Sequence, residues 1–211
     1  MPSLVGSEMC IRDRWMRHSV ISPDGTTIAF TYKGDIYTVP VAGGRAMQIT
    51  TNPAYDTAPV WSPDSKRIAF ASDRMGSLDV YIVAKDGGEP RRLTTHSGSE
   101  TPLAFTDAGH VLFSAGIMPS AEAVVFPSNG QFNQVYRVSV EGGRPTMISS
   151  MPMECISINK EGAMLYQDKK GYEDYWRKHH VSPIARDIWM YTPGKEPQYR
   201  QLTTFGGEDR E

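Results

Sequence analysis

The sequence predicts an all-β fold, an incomplete β-propeller of about four four-stranded antiparallel blades. Three observations predict it. A unit of roughly forty residues recurs four times along the chain. Each unit opens on a tight-turn motif between two runs of β-branched and aromatic residues. The chain also carries 19 Gly and 15 Pro among 211 residues, which fits a path that turns often.

The first unit holds Val20 to Phe30 (VISPDGTTIAF), and the second holds Val60 to Phe70 (VWSPDSKRIAF), offset by 40 positions. Proline presets φ at the second turn position, aspartate bonds nearby backbone, and glycine accepts positive φ. The two flanking runs therefore read as antiparallel strands joined by that turn. Weaker copies run from Ala104 to Phe113 (AFTDAGHVLF) and from Ser157 to Tyr166 (SINKEGAMLY). The third copy lacks the proline, and the fourth replaces the motif with Asn159, Glu161 and Gly162.

A third strand follows in each unit, starting at Asp35-Ile36-Tyr37, Asp79-Val80-Tyr81, Gln134-Val135-Tyr136 and Asp187-Ile188-Trp189. Its aromatic residue is expected to fill the wedge between neighbouring blades. A turn at Gly43-Gly44, Gly87-Gly88, Gly142-Gly143 or Pro193-Gly194 leads to a short fourth strand. That strand ends in Ile49-Thr50, Leu93-Thr94, Ile148-Ser149 or Leu202-Thr203. Four antiparallel strands per repeat make a propeller blade. The blades are expected over about 15–51, 56–95, 101–150 and 153–204, with 205–211 leading toward a fifth.

Antiparallel order places the Ser-Pro-Asp-Gly and Gly-Gly turns on one face of the propeller. The loops between second and third strands share the other face with the blade-to-blade connectors. Those loops are short in the first two blades, but the third inserts Gly116 to Asn133 and the fourth Asp168 to Arg186. One-sided insertions in repeat proteins mark either a working surface or solvated decoration.

Residues 1–14 (MPSLVGSEMCIRDR) show no strand alternation and no signal-peptide pattern. They resemble translated sequencing adapter and are expected to be a non-native leader, with the native start absent. The formal net charge is -2, with no clustering of Lys and Arg of the kind that nucleic-acid binding needs. No apolar run is long enough to span a membrane. Cys10 and Cys155 have no metal-knuckle spacing, and Cys155 reads as a lone buried thiol.

The sequence has no Gly-x-Ser-x-Gly elbow, no His-Glu-x-x-His, no phosphate loop and no Cys-x-x-Cys. No catalytic residue, metal or cofactor is therefore expected. His179 and His180 are adjacent, so in an extended chain their side chains diverge and make a poor metal clamp. The same insertion gathers Trp176, Arg177, Arg186 and Asp187. Aromatic plus guanidinium is the composition of a protein-contact anchor, and equally of an insertion that pins itself to the propeller. Asp56 and Glu100 stand six residues before Ser62 and Thr106, where each innermost strand begins, with Glu154 and Asp209 nearby in later copies. Such carboxylates would either ring the channel mouth and attract basic peptides, or cap the connector's own backbone.

The repeat over Arg17 to Thr204 resembles the TolB-type propeller repeat. Residues 28–37 (IAFTYKGDIY), 59–64 with 69–74 (PVWSPD and AFASDR), and 170–180 with 184–189 (KGYEDYWRKHH and IARDIW) resemble the N-terminal propeller of bacterial tricorn-protease-like serine peptidases. The resemblance implies a longer parent with further blades, a PDZ module and a serine peptidase of the carboxy-terminal-processing type. It implies a propeller that guides or filters peptides or unfolded segments toward catalysis, outside the cytoplasm, with oligomers possible. Asp56, Glu100, Trp176, Arg177, His179, His180 and Arg186 are the expected contact residues. The alternatives are a TolB-type periplasmic interaction propeller with no enzyme, or the gating propeller of a prolyl-oligopeptidase-type hydrolase.

Overall fold

The computed structural model describes residues 16–96, 98–116, 133–159, 161–168, 186–194, 196 and 198–204. These form four antiparallel sheets, each built from four strands consecutive in the chain. The first sheet comprises β1 (Arg17–Ile21), β2 (Thr27–Tyr32), β3 (Asp35–Pro40) and β4 (Met47–Gln48). The second comprises β5 (Asp56–Trp61), β6 (Arg67–Ser72), β7 (Asp79–Ala84) and β8 (Arg91–Arg92). In the third, β9 (Glu100–Asp107), β10 (His110–Ala115), β11 (Gln134–Ser139) and β12 (Thr146–Ser149) follow the same order. The fourth holds β13 (Met153–Ile158), β14 (Met164–Asp168), β15 (Ile188–Thr192) and β16 (Gln198–Gln201). The leading strands β1, β5, β9 and β13 contact one another in succession, so they are the inner strands of an incomplete propeller.

The hairpin between first and second strands is built by its own polar side chains. In the first blade Ser22 Oγ donates to Asp24 Oδ1 (2.6 Å) and accepts from Thr27 N (3.0 Å), while Thr26 N donates to Asp24 Oδ1 (3.0 Å). The second blade repeats these bonds with Ser62, Asp64, Lys66 and Arg67. Asp107 and Asn159 supply the equivalent acceptor where the proline is lost, receiving Gly109 N (2.6 Å) and Ala163 N (2.8 Å). An Asx side chain thus closes all four turns, which is why the weaker copies still fold alike.

Hydrophobic burial lies mainly between blades. One cluster joins Ala29, Ile36 and Ile49 of the first blade to Trp61, Ile68, Phe70, Tyr81 and Val83 of the second. The next joins Ala69, Val80, Ile82 and Leu93 to Phe105, Val111, Phe113, Tyr136 and Val138. A third joins Leu112 and Val135 to Met153, Met164 and Tyr166. Successive strand residues point to opposite faces. Ile68 and Phe70 therefore enter one seam while Ala69 enters the next, and β6 is buried along nearly its whole length.

Third-strand aromatics pair in register with second-strand aromatics: Phe30 with Tyr37, Phe70 with Tyr81, Phe113 with Tyr136, and Tyr166 with Trp189. The first three pairs stack with centroids 5.7–5.9 Å apart. Tyr81 and Tyr136 fill the seam toward the preceding blade, as the wedge expectation requires.

Every inner strand carries a bulge opposite the second-strand aromatic. His18, Ala58 and Cys155 take left-handed backbone there, with φ of 50°, 51° and 51°. In β9 the corresponding residue is Pro102, whose ring forbids positive φ. The extra residue in that strand is Leu103, one place further on. The bulge also corrects one expectation. Cys155 is exposed rather than buried, because its left-handed backbone takes it out of the in-and-out alternation of β13.

Candidate functional site

The two propeller faces follow from backbone bonds. Asp24 N donates to Ser65 Oγ (3.1 Å), so neighbouring Ser-Pro-Asp hairpins touch on one face. On the other face, Asp56 N donates to Gly34 O and Glu100 N to Leu78 O, both at 2.7 Å. Each inner strand there begins against the second-to-third loop of the preceding blade. The strand ends that bracket both insertions lie on this same connector face. Ala115 pairs with Glu100 and Gln134, and Asp168 pairs with Met153.

Asp56 and Glu100 are both 0 % exposed. This corrects the picture of carboxylates ringing an open mouth: both side chains are sealed into the seams by the neighbouring blade. Asp56 Oδ2 meets Arg74 Nη2 at 2.7 Å, and the Arg74 guanidinium lies over the rings of Phe70 (5.5 Å) and Tyr81 (5.1 Å). In the connector before β5 the capping is done by Asp73, whose Oδ1 accepts Tyr55 N at 2.7 Å. The pairing of Asp56 with Arg74 was missed in the sequence, because the two lie 18 residues apart and the run Ala69 to Arg74 shows only the cation.

Among the described residues no arginine forms such a pair with Glu100. Neither of its carboxylate oxygens closes a well-formed hydrogen bond among the described residues. Burial pushes its pKa up to about 7, with the Asp79 charge adding to the rise. The Thr94 hydroxyl, Arg92 and the His96 backbone N–H lie near enough to oppose that rise only in part. Asp79 is likewise buried, and desolvation raises its pKa. Arg92 Nη2 stands 2.9 Å from it.

In the fourth blade Arg186 Nη1 meets Glu154 Oε2 at 2.5 Å, a structural clasp at the foot of the insertion. Trp176, Arg177, His179 and His180 lie outside the described residues. Among the described residues no group of three or more metal-ligating side chains comes together. A polar cavity of about 370 Å³ opens between the first two blades, lined by Thr50, Thr51, Asn52, Arg74 and Glu89.

A further polar linkage went unread in the sequence. In the first, second and fourth blades the Thr that ends the unit accepts the N–H that follows the third-strand Asp: Thr50 from Ile36 (3.0 Å), Thr94 from Val80 (2.9 Å) and Thr203 from Ile188 (2.9 Å). Thr50 and Thr203 also donate to Asp35 and Asp187. The Asp and Thr signatures of those three repeats are therefore two halves of one clasp, visible only as a spacing of 15 or 16 residues, and the third repeat has Gln134 and Ser149 in their place.

The sequence model of the Tricorn protease N-terminal beta propeller domain matches residues 13–211. The chain belongs to that family. Tricorn protease homolog 1 of Streptomyces coelicolor is 25% identical over 169 residues, covering 80% of this chain and 15% of the homolog. The crystal structure of the tricorn protease superposes with a TM-score of 0.69 at 17% identity, covering 93% of this chain and 19% of that one. A putative TolB from Agrobacterium tumefaciens gives 0.63 at 23% identity, covering 90% and 66%. Both structural likenesses establish the fold. This tricorn-type propeller spans about a seventh of the homolog it matches. Among the described residues no helix is long and apolar enough to cross a membrane.

Proposed function

We propose that this tricorn-type propeller segment is a non-catalytic guide that receives peptides or unfolded segments on its connector face. It passes them to a PDZ and serine-peptidase region of the same chain. One observation carries the reading: within a family named for a protease, both large insertions are bracketed by strand ends on one face of adjacent blades. Direct contact is assigned to Trp176, Arg177, His179 and His180, with Arg186 holding the insertion's base through Glu154. Asp56 and Glu100 contribute by holding the seams behind that surface. Following the resemblance, the parent is expected outside the cytoplasm, which fractionation of the source cells checks.

Reading the gene past Glu211 tests the proposal. A PDZ and peptidase region supports it, and a reading frame that closes the propeller with no enzyme contradicts it. That second outcome belongs to the TolB-type reading, in which the propeller is a periplasmic interaction module with no enzyme.

A further inference from the structure

Among the buried carboxylates of the seams, Asp56 and Asp79 each face an arginine at 2.7–2.9 Å, while Glu100 does not. Glu100 is fully buried where the third blade meets the second, and its own N–H bonds across that seam to Leu78 O. Its nearest charged neighbours are Asp79 on β7 and Arg92 on β8. Arg92 Nη2 stands 2.9 Å from both Asp79 oxygens but bonds in good geometry only to Oδ1, leaving Oδ2 short of a donor. The two buried carboxylates share Arg92, and the His96 ring acts on Asp79, so among the described residues a negative charge on Glu100 is left without a cation of its own.

The other groups packed around β9 are already engaged. Asp56 on β5 has Arg74, and Glu154 on β13 has Arg186. Arg67 on β6 bonds Ala108 O, while Asp107 and His110 pair with each other at the far end of β9 and β10. The His96 ring accepts Gly98 N.

We propose that Glu100 is a proton-operated latch at the seam between the second and third blades, closed when its carboxyl is neutral and loosened when it ionises beside Asp79. The seam it governs opens onto the same face as both insertions, so the latch couples ambient pH to the geometry of that face. A carboxyl whose pKa is raised on folding lets the native state hold a proton that the opened state releases. The closed seam therefore loses stability as pH climbs from the ordinary carboxylate range through about 7.

Hydrogen exchange at the Glu100 amide, corrected for intrinsic exchange, reads this opening directly in the 211-residue chain. Between about pH 6 and about pH 8.5 the opening constant should rise roughly tenfold. In Glu100→Gln it should stay at the closed level throughout. A carboxyl NMR titration of Glu100 should show a midpoint near neutrality. Equal pH dependence in both proteins, or a Glu100 midpoint in the ordinary carboxylate range, would overturn the proposal. Should Glu100→Gln not fold, the titration of the unaltered chain decides alone.

Discussion

Single residues in this propeller do either turn chemistry or seam chemistry. Ala58 holds φ of 51° at the bulge of β5, a backbone region that costs an L-residue about 1 kcal/mol or more. Ala58→Gly should raise stability by about 0.5 kcal/mol in chemical denaturation, after the extra chain entropy of glycine is subtracted. Asp24 gives the pH counterpart. Hydrogen bonds from Ser22, first, and from Thr26 hold its pKa at about 2, below the ordinary 3.8. A depressed acid stabilises the fold above its unfolded pKa and loses that contribution as pH falls toward the folded value. Acid unfolding should therefore begin at higher pH in Asp24→Ala than in the unaltered chain, and identical acid transitions would refute the role given to this carboxylate. The hairpin motif was legible because its chemistry is local. The burial of Asp56 and Glu100 was not, because the seams between blades impose it, and the Asp56–Arg74 pair was not, because its partners lie 18 residues apart.

At the scale of elements, each middle strand serves two seams, and its worth depends on having a neighbour on both sides. Phe70 on β6 is fully buried between the first and second blades and stacks on Tyr81. Phe70→Ala should cost about 3–5 kcal/mol, by lost burial plus the cavity left behind. Leu165 on β14 is 43 % exposed, so Leu165→Ala should cost less than about 1 kcal/mol. Urea midpoints of the two variants measure the contrast. Repetition made the strands readable, since four copies in one order leave little freedom of assignment. The bulges were harder to foresee. A bulge inserts one residue that shifts the alternation, so the core side of β13 passes from Met153 to Ile156 and Ile158, and Cys155 read as buried when the backbone turns it outward.

Across the whole molecule, the four sheets meet through successive inner strands and interlocking cores, so the described residues form one continuous stack. Its connector face carries the seams of Asp56 and Glu100 and the strand ends that bracket both insertions. The overall architecture was readable from the repeat. The proposed working surface was readable only as a topology, because the insertions Gly116 to Asn133 and Asp168 to Arg186 do not repeat and nothing in the repeat constrains them. The central claim is that peptides are received on that face. A photo-crosslinking extended peptide, with crosslinks mapped by mass spectrometry on the 211-residue chain, tests it most directly. The account predicts crosslinks at 169–185, centred on Trp176 and Arg177, that diminish at least tenfold in the double alanine variant. Crosslinks confined to the Ser-Pro-Asp hairpins of the opposite face would contradict it.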